Sequence, residues 1–117
     1  KEGSAIIVEF KAPGVDLAYH TGDLREYAQL LIAKSKGKLK RFYGYLIGTD
    51  IDKNRIEYDP IPGTGGWNKT ITLRDPDTDL AIGTLYAEAL RYENIIQRAR
   101  QRIEIYRKRL KVDLKKS

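Results

Sequence analysis

The stretch Ser4-Ala5-Ile6-Ile7-Val8-Glu9-Phe10-Lys11 decides the fold of this chain. It is a run of apolar, mostly β-branched residues that alternates with polar ones toward its end, a pattern typical of a strand. Ala12-Pro13-Gly14 ends it, because proline cannot donate a hydrogen bond to a sheet. We predict a largely buried strand over residues 4–11, and alternation places Glu9 and Lys11 on the same side of it.

A helix and a second strand follow this first strand along the chain. Asp23 and Glu26 have the spacing of a helix cap and its N3 partner, and apolar residues at helical spacing predict a helix over residues 23–35. The apolar run 42–48 predicts a second buried strand. Strand, helix and strand in succession indicate an α/β fold with a sheet flanked by helices.

The C-terminal third carries a heptad pattern without glycine or proline, and it predicts one long amphipathic helix over residues 83–113. At about 1.5 Å per residue such a helix is longer than a domain of this size is wide. Its second half therefore either presents a basic surface or pairs with a second copy as a homodimer. The apolar stripe consists of Leu85, Ala89, Tyr92, Ile96, Ala99, Ile103, Tyr106 and Leu110.

Length and composition restrict the classes of protein and the kinds of site that are possible. The 117 residues suffice for one domain, 1–117, and the absence of methionine, even at the first position, suggests a piece of a longer protein. The absence of cysteine excludes disulfide frameworks, thiolate metal sites and cysteine nucleophiles, and it permits the cytoplasmic location that we expect. We expect no membrane-spanning segment, because no apolar run approaches the necessary length.

The net charge of +6 lies entirely in residues 85–117, since the remainder is neutral. A basic segment on a neutral body favours a polyanionic partner, most simply DNA. A solvated helix face, or arginines flanking a coiled coil, would explain the same charges. The candidate nucleic-acid contacts lie in this segment and in a lysine-rich connection: Lys38, Lys40, Arg41, Arg98, Arg100, Arg102 and Arg107.

Glu9 and Lys11 suit metal-assisted hydrolysis of a phosphodiester. The carboxylate can hold a divalent cation, and the lysine can orient or deprotonate a water if its neighbours lower its pKa. By spacing alone, an ion pair at a strand edge is the favoured interpretation of the two residues. The sequence offers no competing nucleotide site, because the loop 63–70 has Asn68 where a phosphate-binding loop needs glycine.

With the apolar residues that precede Glu9-Phe10-Lys11 and the helix and strand that follow, the segment 4–48 resembles the restriction-endonuclease-like nucleases of the PD-(D/E)xK superfamily. The resemblance implies a mixed sheet flanked by helices, with Glu9 as a Mg²⁺ or Mn²⁺ ligand, the Phe10 carbonyl as a further ligand and Lys11 orienting the attacking water. Many relatives carry Gln-x-x-x-Tyr on the following helix. Here Tyr27 matches, the glutamine position is Asp23, and Gln29 follows the tyrosine.

In that superfamily the first acidic ligand comes from a strand upstream of Glu-x-Lys, and no such strand precedes Ser4. The C-terminal stripe is similar to the closing helix of nuclease-like domains appended to large prokaryotic ATPases, which implies an ATPase module in the same parent chain. We therefore expect a metal-dependent DNA nuclease domain. The alternative is a catalytically incomplete DNA-binding or dimerisation domain of an ATPase-linked protein, and a third interpretation is a scaffold whose long helix joins protein partners.

Overall fold

A computed structural model describes residues 3–100, which form an α/β fold around one five-stranded mixed sheet. The sheet order is β1-β2-β5-β4-β3; β1, β2 and β5 run parallel, and β4 is antiparallel to both β5 and β3. No helix in this part of the chain has the length and apolar character to cross a bilayer. The elements are β1 (Ser4–Phe10), a 3-10 turn (Leu17–Tyr19), α1 (Thr21–Lys34), β2 (Arg41–Gly48), β3 (Asp59–Pro60), β4 (Trp67–Arg74), β5 (Ala81–Arg91) and α2 (92–100).

The core lies between α1 and one face of the sheet, which we call the helix face. Leu24, Ala28 and Ile32 recur every four residues along α1, and all three are buried there. Complete burial of a leucine side chain contributes about 1.5–3 kcal/mol, so this interface supplies much of the driving force for folding. The strands contribute Ile7, Phe42, Leu46, Leu73, Leu85, Ala87 and Ala89.

The opposite face, which we call the open face, corrects the prediction that the first strand is largely buried. In β1 only Ile7 is buried, whereas Ile6 is 71% and Phe10 62% exposed. Tyr43, which pairs with Ile6, stacks on its own neighbour Tyr86 in β5 with ring centroids 5.2 Å apart. Apolar residues therefore point to both sides of β1, but α1 covers only one side.

The helix α2 contacts the open face at one end of the sheet. Tyr92 stacks on Phe10 at 6.2 Å between ring centroids, and Arg98 donates to the carboxylate of Glu88 at 3.2 Å. Phe10 and Glu88 both lie on the open face by strand alternation. The rest of this face, nearer the beginning of β1, remains exposed.

The predicted long helix over 83–113 is wrong in its first part, because residues 81–91 form β5. This strand is central, pairing with β2 on one side and β4 on the other. Leu85 and Ala89 are four residues apart, a spacing that fits a helix stripe and, as two steps of two, one face of a strand. The strand conformation is adopted because β2 and β4 provide hydrogen-bond partners for the backbone of β5 on both sides. Residues 101–113 lie outside the described residues.

The helix α1 also begins earlier than predicted. It starts at Thr21 after His20, whose side chain makes no capping bond, so Asp23 is not the cap. Tyr58 is buried beneath this end and donates its hydroxyl to the Thr21 carbonyl at 3.0 Å. Burial raises the pKa of Tyr58 to about 12, so its hydroxyl keeps its proton. Asp23, freed from capping, takes part in the cluster described next.

Candidate active site at the end of strand β1

Four polar side chains meet where β1 ends and α1 begins. The Lys11 ammonium donates to Glu9 Oε1 at 2.8 Å and to Asp23 Oδ2 at 2.9 Å. His20 Nδ1 lies 3.0 Å from the same Asp23 oxygen. All four are partly buried, with between 18% and 35% of each side chain exposed. The cluster thus combines a shielded cation with two carboxylates that solvent and a ligand can still reach.

The local sequence explains how these groups come together. Strand alternation puts Glu9 and Lys11 on the helix face beside α1. Asp23 lies in the first turn of α1, where a carboxylate is stabilised by the helix dipole. The cluster lies at the carboxyl end of the parallel strands β1 and β2, the end at which open α/β sheets bind their ligands.

The charges in the cluster stabilise one another. Hydrogen bonds from Lys11 to Glu9 and then to Asp23 raise the pKa of the lysine above its usual value, although burial opposes this. Burial acts to raise the pKa of Asp23, but hydrogen bonds from Lys11 and His20 outweigh it, and the pKa of this carboxyl is lowered. Lys11 is therefore a cation at neutral pH. Our suggestion that it could deprotonate water required a lowered pKa and is corrected.

His20 belongs to the cluster, although the sequence analysis did not single it out. With Nδ1–H donating to Asp23, the other ring nitrogen, Nε2, can accept a proton. Histidine is the side chain best suited to proton transfer near neutral pH. The spacing of three residues between His20 and Asp23 at a helix start was the available signal, but it gains meaning only when β1 brings Lys11 to the same place.

The backbone of β1 presents a further oxygen. Lys11 N–H donates to the Ile47 carbonyl, and the Gly3 carbonyl accepts from Arg41. The backbone N–H and C=O groups of the odd-numbered residues of β1 therefore point toward β2. Peptide groups alternate in direction along a strand. The N–H and C=O of Phe10 accordingly point to the outer edge of the sheet. The role of this carbonyl as a metal ligand stays a prediction.

These donors fit a magnesium ion in part. Mg²⁺ is commonly bound by one or two carboxylates while it keeps several waters or takes substrate oxygens. Glu9 and Asp23 supply two carboxylates within reach of one ammonium, and the Phe10 carbonyl lies close in sequence. Within residues 3–100 no group of three or more histidine, aspartate or glutamate side chains is arranged to hold a metal. A complete protein cage is thus not formed by the described part of the chain.

The two other predicted residues of α1 lie apart from each other. Tyr27, one turn after Asp23, is half exposed and lines a groove with Glu9. Gln29 instead donates to the Arg74 carbonyl at 3.3 Å, on the side of α1 toward β4. Tyr27 is therefore a neighbour of the cluster, and Gln29 is not part of it.

The predicted DNA contacts divide between two places. Lys38, Lys40 and Arg41 lie at the beginning of β2, the opposite end of the sheet from the cluster. Arg41 pairs with Ser4, five residues before Glu9, which corresponds to about 17 Å along the strand. Arg98 is engaged with Glu88, and Arg100 is exposed on α2. Arg102 and Arg107 lie outside the described residues.

Comparison with known proteins identifies no relative. No model of a protein family, no curated protein and no solved structure matches this chain. The assignment of a function therefore depends on the geometry of the cluster and on the charge of the surface.

Proposed function

We propose that this domain hydrolyses phosphodiester bonds in DNA with a divalent cation held by Glu9 and Asp23. One observation carries the proposal: the Lys11 ammonium, at the end of β1, contacts both carboxylates at 2.8 and 2.9 Å, and His20 contacts the second. A carboxylate pair, a fixed cation and a histidine are the groups that metal-assisted hydrolysis uses.

Each residue has a role that its environment supports. When bound, Mg²⁺ or Mn²⁺ would polarise the phosphate and lower the pKa of a coordinated water. Lys11 has three N–H donors, of which Glu9 and Asp23 take two, and the third can hold a phosphate oxygen or a water. Asp23 fixes the orientation of the His20 ring, whose Nε2 can accept the proton of the attacking water.

The basic residues Lys38, Lys40 and Arg41 support a long polyanionic substrate rather than a small phosphoester. They are about 17 Å from Glu9 along the strand, which matches about five phosphates of one DNA strand at 3.4 Å each. None of the three forms a salt bridge within the described residues. Their positive charge is therefore available to a substrate backbone.

Plasmid nicking with Mg²⁺ or Mn²⁺ tests the proposal. The unmodified chain is expected to nick supercoiled DNA. Glu9→Gln and Lys11→Met are each expected to lower the rate at least about 100-fold, because the first weakens the metal site and the second removes the cation that faces the phosphate. His20→Gln is expected to lower the rate less at high pH than at neutral pH, since hydroxide can replace a missing base.

Glu26→Gln is the matched control, because Glu26 is an exposed carboxylate of α1 outside the cluster. It is expected to nick at the unmodified rate. Thermal unfolding of every variant separates loss of the site from loss of the fold. Nicking that survives in both Glu9→Gln and Lys11→Met would come from a contaminant or another site, and would refute the assignment.

A second candidate function is DNA binding without cleavage. It is favoured by the lack of a three-residue metal group within residues 3–100 and by the pairing of both carboxylates with one lysine. Binding of a labelled duplex in EDTA distinguishes the two functions. Binding that persists in EDTA without nicking in Mn²⁺ supports this second function, and nicking abolished by Glu9→Gln excludes it.

A further inference from the structure

The outer edge of β1 is open within the described residues. Among residues 3–100, β1 is the terminal strand of the sheet and pairs only with β2. Because its odd-numbered residues bond to β2, the N–H and C=O groups of Ser4, Ile6, Val8 and Phe10 point outward. Natural edge strands are commonly protected by lysine, proline, a bulge or short length. β1 has seven residues, none of them lysine or proline, and its one charged side chain, Glu9, is paired with Lys11 on the helix face.

A groove lies between the helix α1 and this edge of the sheet. The groove has a volume of about 490 Å³ and is lined by Ile6, Ile7, Val8, Glu9, Tyr27 and Leu31. A strand added to β1 would have one row of side chains beneath Tyr27 and Leu31. Its other row would lie on the open face beside Ile6 and Val8, which are 71% and 48% exposed. The occupant must therefore be an extended segment that is apolar on both faces.

We propose that this occupant is β1 of a second copy of the chain, paired antiparallel about Ile7. β1 itself is apolar on both faces, which is what its own groove requires. In this register the outward-pointing residues oppose one another, Ile6 with Val8 and Ser4 with Phe10, as an antiparallel ladder demands. Two bonds in each of these four symmetric pairs give about eight main-chain hydrogen bonds.

Side-chain chemistry supports this register. On the open face Ile6 lies beside Val8 of the partner subunit, so two exposed apolar side chains cover each other. On the helix face Ile7 meets its own symmetry mate. Glu9 opposes Ala5 of the partner subunit, so no like charges face each other across the junction. The two sheets become one continuous sheet of ten strands.

This dimer is independent of the proposed nuclease activity and differs from pairing through the C-terminal helix. The Phe10 carbonyl, which would accept from the partner's Ser4, has two lone pairs and can still accept a second contact. The proposal therefore stands or falls on the oligomeric state of the chain alone.

Sedimentation equilibrium over the micromolar range tests it. The unmodified chain is expected to approach twice 13.4 kDa as its concentration rises. Ile6→Lys and Val8→Lys are each expected to weaken the dimer at least tenfold, because each places a charge on the junction while the side chain stays exposed in the monomer. A chain that is monomeric throughout this range overturns the proposal.

Two matched variants identify the interface. Leu80→Lys changes a similarly exposed residue in the turn before β5, and Ile96→Lys changes an exposed residue of α2. Both are expected to dimerise as the unmodified chain does. A dimer that Ile96→Lys breaks and Val8→Lys leaves intact would lie on the helix, and the proposed strand pairing would be wrong.

Disulfide formation tests the register. The chain has no cysteine, so Ile7→Cys can form only an intermolecular bond. Symmetry places the two positions directly opposite, within the distance a disulfide spans. Rapid oxidation to a dimer is expected for Ile7→Cys and not for Leu30→Cys, an exposed site on α1. Equal rates of oxidation at both positions would contradict the register.

Discussion

At the scale of single residues, the charge state of Lys11 determines what the cluster can do. An ammonium between Glu9 and Asp23 is held as a cation, because both carboxylates favour its charged form. In the proposed reaction, a lysine in this state would stabilise negative charge that develops on a phosphate and would not remove a proton. His20 would then be the proton acceptor, because the two basic side chains differ in their hydrogen-bond partners.

The lowered pKa of Asp23 predicts a dependence of stability on acid. Since the folded state favours the charged form, the stabilisation is fully present above the pKa of the unfolded state, near 3.8, and is lost as pH falls through the lower folded value. Asp23→Asn is expected to be less stable than the unmodified chain at neutral pH by about 1 kcal/mol or less, the usual contribution of a partly exposed ion pair.

Urea unfolding at about pH 7 and about pH 3 measures this difference. The gap in the free energy of unfolding between Asp23→Asn and the unmodified chain is expected to shrink at the lower pH. Lys11 and His20 are the two groups that face Asp23, and both donate to its carboxylate in the folded state, which favours the charged form of that carboxyl. Glu26→Gln, the exposed control, is expected to show a smaller gap, and equal gaps for both variants would contradict the pKa argument.

At the scale of elements, close approach between the strand β5 and the chain entering β2 is a second determinant of the fold. A Cβ atom at Gly83 would lie 2.6 Å from the backbone carbonyl oxygen of Lys40, which also accepts from Thr84 N–H at 2.8 Å. A backbone atom in a sheet cannot move aside as a flexible side chain can. A side chain at this position therefore requires the two backbone segments to shift apart.

We expect Gly83→Ala to lower the free energy of unfolding by about 1–3 kcal/mol, the usual cost of overpacking. Gly22→Ala is the matched control, because a Cβ there meets no atom within 4 Å and Gly22 lies in α1. Alanine in a helix is favoured over glycine, so Gly22→Ala is expected to stabilise by about 0.5 kcal/mol. Urea unfolding of the two variants compares them directly, and a neutral Gly83→Ala would mean that the two segments can separate.

The elements that sequence patterns predicted are those with an unambiguous period. β1, α1 and β2 have apolar spacings of one kind, and all three occur close to the predicted bounds. β5 was not predicted as a strand, since the spacing of Leu85 and Ala89 fits both the helical and the strand period. The strand conformation of β5 depends on its pairing with β2 and β4, and the local sequence pattern does not predict such long-range pairing.

The candidate site shows the same division between local and long-range information. The Glu9–Lys11 pair follows from strand alternation, and the structure places the two in contact. That Asp23 joins them follows from how α1 docks on the sheet, and it brings His20 with it. The exposure of one face of β1 also could not be predicted, because a pattern of apolar residues does not indicate which of them another element covers.

At the scale of the whole molecule, the proposed nuclease would anchor DNA at one end of the sheet and cleave it at the other. The cluster is at the carboxyl end of β1 and β2, whereas Lys38, Lys40 and Arg41 lie at the other end of the sheet. A polyanion that touches both must run along the strands. Electrostatic attraction at the basic end would raise the local concentration of such a substrate without changing the groups that act on it.

This separation predicts how DNA affinity depends on salt. Each phosphate contact contributes about 0.9 to the slope of log affinity against log salt concentration. The double variant Lys38→Gln/Lys40→Gln is therefore expected to reduce the magnitude of that slope by about 2 relative to the unmodified chain, as measured by fluorescence anisotropy with a labelled duplex. Nicking at saturating DNA is expected to be unchanged, because neither lysine belongs to the cluster.

The control for that variant is Lys53→Gln/Lys69→Gln, which removes the same charge from two exposed lysines elsewhere on the surface. If net charge alone governs binding, both double variants lower affinity equally and the slope changes by the same amount. If the basic end of the sheet anchors the backbone, only Lys38→Gln/Lys40→Gln changes the slope, since counterions are released only where phosphates are contacted. Equal slopes for all three proteins would show that Lys38 and Lys40 contact no phosphate and would shift the search for the DNA-binding surface to the arginines of the C-terminal segment.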